Sequence, residues 1–248
     1  MAIGIICAME EEIALLEQDI QSADSTIIAG RTFIQGTLYG QEAVLVMSRI
    51  GKVAVAVTTT LLIERFHVSQ IVFAGTAGAV APELKVGDVV VANQSVQHDM
   101  RPDEELTFRV PLIEVGYFQS DPELTQKAFG AVEEYINNSL HNDIPQQHLQ
   151  QFGIRQPKVV VGTIASGDEF VCDPAKNTWL YEHIDNLKCV EMEGAAMAQV
   201  CYEYGIPFTI LRVISDCADN DTPFTFDSFI EGAAKYFTRG SIRALLQA

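Results

Sequence analysis

The sequence predicts an α/β protein in which a central mixed β-sheet is covered by helices on both faces. Three observations carry this reading. Short apolar runs of strand length alternate with stretches of helical spacing along nearly the whole chain. An early pair of runs, RTFIQGTLYG and QEAVLVMS, meets near Gly40 and reads as a hairpin, which mixes antiparallel strands into the pattern. The 248 residues, 48% hydrophobic and 20% charged, suffice for one substantial core. With no internal repeat and no linker-like shift in composition, residues 1–248 are expected to form a single domain.

In chain order, Ile3 to Cys7 is a short apolar strand. An acidic helix start follows at Met9 to Glu12, with apolar spacing through Leu15 and Leu16. After the hairpin, Lys52 to Arg65 has helical spacing, and QIVFAG is a buried strand expected to end in the glycine-rich turn GTAGA. GDVVVANQSVQH adds strand, and Pro122 opens a helix running to Leu140. KVVVGTIASG is strand and DPAKNTWLYEHI helix; LKCVEM is strand and EGAAMAQVCYEYG a helix closed by Gly205. PFTILRVIS is the last strand and Phe226 to Leu246 the last helix. The stretches 99–121 and 139–157 are the least regular and are expected to be surface loops.

Composition excludes several partners. Sixteen basic against thirty-three acidic side chains give a formal charge of −17, so nucleic acid and anionic membrane surfaces would be repelled. The opening MAIGIICAMEEE lacks a basic leader and is not expected to act as a signal peptide, and no later stretch is long enough to span a bilayer. The five cysteines are odd in number, scattered and mostly within apolar runs, which fits reduced thiols in a cytoplasmic protein. Without a CxxC or HExxH pattern, no metal and no other cofactor are expected.

Several strands run out into small, acidic or glycine residues: IGIICAMEEE, IVFAGTAGA, VVVGTIASGDEF, LKCVEMEGA and FTILRVISDCAD. Ligands of α/β sheets gather at such strand ends. Each segment has a plain alternative. Glu12 would complement a helix dipole, GTAGA would be a tight turn, and SGDEF a turn with a buried Phe170. Asp216 would cap a turn, with Arg212 its structural partner. Glu191 and Glu193 are harder to explain, because they stand in an apolar run where an unpaired ionised carboxylate costs several kcal/mol or more. They belong either on a solvated edge or beside something that needs negative charge. His98-Asp99 lacks a nucleophile-elbow serine or cysteine and is not read as part of a triad.

Taken together, AMEEE, SRIGKVAVA, AGTAGAVAPELKVGDVVV, SGDEF, VEMEGAAMAQV and RVISDCAD resemble, in the same order, the 5′-methylthioadenosine/S-adenosylhomocysteine nucleosidases of the nucleoside phosphorylase/hydrolase superfamily. The resemblance covers nearly the whole chain. It implies a three-layer α/β/α nucleoside phosphorylase-like fold, a homodimer, and hydrolysis of 5′-thio-substituted adenosines to adenine and the 5-substituted ribose. It implies that Glu12 activates water, Asp216 protonates purine N7, and Glu193 binds the ribose hydroxyls with Met192 against the sugar. By the same resemblance Phe170 and Val171 form the purine turn, with Ala77, Gly78 and Glu191 around it. Met9, Ile50 and Phe226 match the apolar 5′ pocket, while Arg212 and Ser215 match residues that steady the acid. The chemistry agrees, since cleavage of an N-ribosidic bond develops a sugar cation that nearby carboxylates stabilise.

Rival readings are a purine nucleoside phosphorylase, a nucleosidase for another 5′-modified adenosine, and a noncatalytic nucleoside-binding protein. Phosphorylases carry an arginine just before the glycine segment, where this chain has Phe73 and Ala74. Arg49 stands where those nucleosidases have a small residue and would tolerate an anion if it faced the site. The loop DMRPDEELTFRVPLIEVGYF, with Phe108, Pro111, Leu112 and Tyr117, lacks the aromatic and glycine-rich pattern that closes the 5′ pocket in bacterial members, which leaves the 5′ preference open.

Overall fold

The computed structural model describes residues 2–101, 108–217 and 222–248. The centre of the 99–121 loop and the last two residues of RVISDCAD lie outside the described residues.

The first half contains β1 (Ile3–Cys7), α1 (Glu10–Asp19), β2 (Gln21–Ile28), β3 (Arg31–Leu38), β4 (Gln41–Met47), α2 (Lys52–Phe66), β5 (Gln70–Ala79) and β6 (Val89–Gln97). It continues with β7 (Tyr117–Gln119), α3 (Pro122–Asn138), α4 (Leu140–Asp143), α5 (Gln146–Gln151), β8 (Val159–Ser166) and α6 (Pro174–His183). β9 (Leu187–Glu191), α7 (Gly194–Tyr204), β10 (Phe208–Asp216), α8 (Thr222–Phe229), a π-helical turn at Ile230–Ala234 and α9 (Lys235–Gln247) complete it.

The strands form one mixed sheet in the order β10-β6-β8-β9-β5-β1-β4-β3-β2, with β7 on β6. β5 also pairs in parallel with β10, so β5, β10, β6, β8 and β9 close a ring. The C-terminal half of β5 serves both neighbours at once: Ile214 faces Ala77 on one side, and Gly78 faces Val190 of β9 on the other. That closure brings the ends of β1, β5, β9 and β10 together.

Helices cover both faces. Leu16 of α1, Val132 of α3 and Phe237 and Leu245 of α9 pack on one side, while Val55 and Leu62 of α2 and Met197 and Cys201 of α7 pack on the other. α6 covers a smaller cluster with Leu180, Ile184, Val96 and Val171. The helix ends follow local chemistry: Asp121 and Asp173 cap α3 and α6 through Leu124 N and Ala175 N, each with proline next in line. Gly205, at φ 67°, closes α7.

Four sequence expectations change. The GTAGA segment is not a turn, because β5 runs through it to Ala79. β2 was not expected: its residues are almost all exposed and carry no alternation of apolar and polar side chains. The irregular stretches contain structure too, namely β7 within 99–121 and the short helices α4 and α5 within 139–157. The last helical run begins at Thr222 rather than Phe226 and passes through the π turn.

Candidate active site

A cavity opens where these strands end. Ala8, Met9 and Glu12 reach it from the β1–α1 junction, Thr76, Ala77 and Gly78 from β5, and Glu169, Phe170 and Val171 from the segment after β8. Val190, Glu191, Met192 and Glu193 come from the β9–α7 junction, Arg212 and Asp216 from β10, Ile50 from the turn before α2, and Phe226 from α8. Of the residues that the resemblance assigned to the site, Ser215 alone is not in the wall. It lies behind Asp216, with its Oγ 2.7 Å from Asp216 Oδ2 and 3.2 Å from Ala77 O.

Glu12 is buried and all of its hydrogen bonds come from donors. Its Oε2 accepts from Ala8 N at 3.0 Å and Met9 N at 3.2 Å, and its Oε1 from Thr76 N at 2.9 Å and Thr76 Oγ1 at 3.0 Å. Met9 is the N-cap of α1 and Glu12 its third helical residue, so the carboxylate reaches back over its own helix start. Burial pushes its pKa up, and this outweighs the opposing pull of Arg212 and of the hydrogen bonds. Gly75 gives it room: a Cβ there would stand 2.7 Å from Glu12 Oε1. The first glycine of GTAGA thus makes room for the carboxylate.

Glu191 and Glu193 alternate in sequence but differ in environment. Glu191 is ion-paired with Arg212, Oε2 to Nη2 at 2.5 Å, and accepts from Ser166 Oγ and from the backbone N–H groups of Glu193 and Gly194. It therefore satisfies orphan donors at the start of α7 as well as the arginine. Glu193 is ion-paired with no cation among the described residues; its Oε1 accepts from Gly51 N at 2.7 Å. Burial first, then the neighbouring Glu191, raise its pKa well above the usual carboxylate range.

Asp216 is buried at the end of β10, where the register against β5 shifts between Ile214 and Asp216 and sets Asp216 opposite Gly78. Arg212 is buried too, with its guanidinium 4.0 Å from the centroid of Phe73. It is the cation among the described lining residues, and Glu191 already holds it. Arg49 does not line the cavity; its Nη2 donates to Gly30 O at 2.6 Å. Phe170 is half-exposed and meets Phe226 edge-on at 5.3 Å between ring centroids.

Four lining residues were not singled out in the sequence: Ala8, Thr76, Glu169 and Val190. Thr76 had a signal, as the hydroxyl inside GTAGA, but its partner Glu12 lies 64 residues away and only the fold joins them. His98 is buried with both ring nitrogens unpartnered among the described residues, and Asp99 engages Lys52, so the pair forms no dyad.

A sheet closed around strand ends that carry buried carboxylates and an edge of aromatic rings defines a class. The family model of the phosphorylase superfamily matches residues 2–245, and the chain belongs to that superfamily. It is 38% identical over 230 residues to the 5′-methylthioadenosine/S-adenosylhomocysteine nucleosidase of Shewanella denitrificans, covering 93% of this chain and 92% of the relative. Among solved structures, the corresponding nucleosidase from S. pneumoniae with a transition-state inhibitor superposes with a TM-score of 0.83 at 32% identity, covering 100% of this chain and 99% of the other. Futalosine hydrolase of Helicobacter pylori gives a TM-score of 0.82 at 30% identity, covering 99% and 97%. Within the superfamily, the chain belongs to the family of 5′-methylthioadenosine/S-adenosylhomocysteine nucleosidases.

Proposed function

We propose that the protein hydrolyses the N-ribosidic bond of 5′-thio-substituted adenosines, methylthioadenosine and adenosylhomocysteine first, to adenine and the 5-substituted ribose. The observation that carries this is Glu12: a buried carboxylate with raised proton affinity, held by four donors in the same cavity as Glu193 and Asp216. In this reading Glu12 accepts a proton from a water whose oxygen bonds to the ribose C1′. The C1′–N9 bond breaks as Asp216 gives a proton to purine N7, with Ser215 steadying it. Glu193 takes the ribose hydroxyls and lies beside the sugar cation as it develops. Phe170 stacks on the base next to Val171, Ala77 and Gly78; Met192 packs the sugar, and Met9, Ile50 and Phe226 take the 5′ group.

Water rather than phosphate is the nucleophile because the cavity offers no uncommitted cation among its described lining residues. The test is incubation with a panel of 5′-substituted adenosines, with and without phosphate, followed for free adenine. Adenine release that requires phosphate would move the protein to the phosphorylase branch. The likeness to futalosine hydrolase, together with the unusual 99–121 loop, supports a second reading in which a different 5′-modified nucleoside is preferred. The same panel decides it if futalosine is included.

The proposal extends to assembly: residues 1–248 act as one domain within a symmetric, cytoplasmic homodimer. The free thiols Cys7, Cys172, Cys189, Cys201 and Cys217 support the compartment. The dimer is supported by exposed apolar side chains: Ile50 in the cavity wall is 55% exposed, Val53 three residues on is 75% exposed, and Leu112 in the 99–121 stretch is 96% exposed.

A further inference from the structure

Beside the cavity, three segments are tied together by a charged cluster that lines none of its wall. Lys52, the first residue of α2, donates its backbone N–H to Asp168 Oδ1 at 2.8 Å and its Nζ to Asp99 Oδ1 at 2.6 Å. Asp168 in turn donates its own N–H to Asp99 Oδ2 at 3.0 Å, which closes the ring. Lys52 Nζ also reaches Gln97 Oε1 at 3.2 Å, whose amide continues to Gln199 of α7 at 2.7 Å.

Each bond has a local cause. The N-cap of α2 is Gly51, which has no side chain, and the first turn has no acid, so Asp168 supplies the missing acceptor from another segment. Gly51 has φ +98°, and a Cβ there would stand 3.1 Å from Asp168 Oδ1. Burial alone would raise the pKa of Asp99, but the bonds from Lys52 and Asp168 N more than offset it and hold the carboxyl below its usual range. Asp99 therefore stays ionised at neutral pH.

Its two ends reach opposite halves of the site. One residue before Lys52, Gly51 N holds Glu193 Oε1 at 2.7 Å. Two residues beyond Asp168 stand Phe170 and then Val171, both in the cavity wall. We propose that Lys52, Asp99 and Asp168 are positioning residues, a clasp that sets the spacing between Glu193 and Phe170 so that the sugar and base of one nucleoside are gripped together. This rests on the proposed nucleosidase reading for what each half contacts. Neither Lys52 nor Asp99 touches the reacting atoms; their influence passes through Gly51 and the Asp168 turn. Partly exposed ion pairs contribute little to global stability, so the clasp should be visible in binding rather than in melting.

The test uses Asp99→Asn, Lys52→Met and the double variant beside the parent, with steady-state kinetics on methylthioadenosine and hydrogen exchange of the ligand-free protein. Each single change should raise KM about tenfold while kcat falls less, and the double should be no worse than the weaker single, because both break one network. The amides of Gly51, Lys52 and Asp168 should exchange faster in every variant, with β10 unchanged as the control. Unchanged KM and unchanged exchange overturn the clasp, as does a lowered Tm with KM unchanged. Should the parent release no adenine, the functional reading fails on its own, and exchange at those three amides still decides the clasp: faster exchange upholds the link, and parental exchange overturns it.

Discussion

Burial withdraws water from both Glu12 and Glu193 and makes each hold its proton more tightly than an exposed carboxylate does. A base must be ionised to accept a proton, so with Glu12 in the proposed role of base, activity is present above its raised pKa and is lost as pH falls through it. We expect the acidic limb of the kcat/KM profile to lie above the ordinary carboxylate range; a rate that stays level down into that range would take the base role from Glu12. Asp216→Asn keeps the shape of the side chain and removes the proposed proton donor, so kcat should fall about 10²–10⁴-fold with little change in KM. Glu193→Gln should raise KM as well, because the ribose contacts proposed for it would be made before the transition state. Glu191 makes a different prediction. Its carboxylate neutralises the buried Arg212 and caps α7, and leaving a buried charge without its partner typically costs about 3–5 kcal/mol. Glu191→Gln should therefore lose that much in urea unfolding, whereas an unchanged midpoint would mean the pair is not needed for folding.

At the scale of the elements, β5 sets the Glu12 carboxylate against the rest of the cavity. It stays extended through GTAGA and places Gly75 under the Glu12 carboxylate, where a methyl group would stand 2.7 Å from Oε1. Gly75→Ala should thus displace Glu12 and lower kcat by about 10²-fold, the scale of a misplaced catalytic group, while Phe170 and the ribose contacts keep KM near the parental value. Retained turnover in that variant would show that the carboxylate tolerates movement. The same segment marks the limit of what the sequence discloses. Buried strands such as Ile3–Cys7 and Phe208–Asp216 were legible because short, predominantly apolar runs have few alternative uses. GTAGA was not, since glycine and alanine suit a turn and a crowded central strand equally, and only the pairing of β5 with β10 and β9 separates them. β2 was illegible because both its faces meet solvent and no periodicity remains. The site residues were legible through their order along the chain, but Thr76 and the Lys52–Asp99–Asp168 ring depend on contacts between distant segments.

For the whole molecule, closure of β5, β10, β6, β8 and β9 gathers acids from distant parts of the chain into one cavity and leaves apolar side chains exposed. If those side chains form the dimer, Val53→Asp should yield a monomer in sedimentation at micromolar concentration and weaken activity, and a parent that already sediments as an active monomer would rule the dimer out. The central claim is that water attacks the ribose C1′ with Glu12 as base and no phosphate involved. The direct measurement is a reaction with methylthioadenosine in ¹⁸O-water, with phosphate present, read by mass spectrometry. The account predicts one ¹⁸O in the released methylthioribose, none in adenine, and a rate indifferent to phosphate. Methylthioribose-1-phosphate without the label would contradict it.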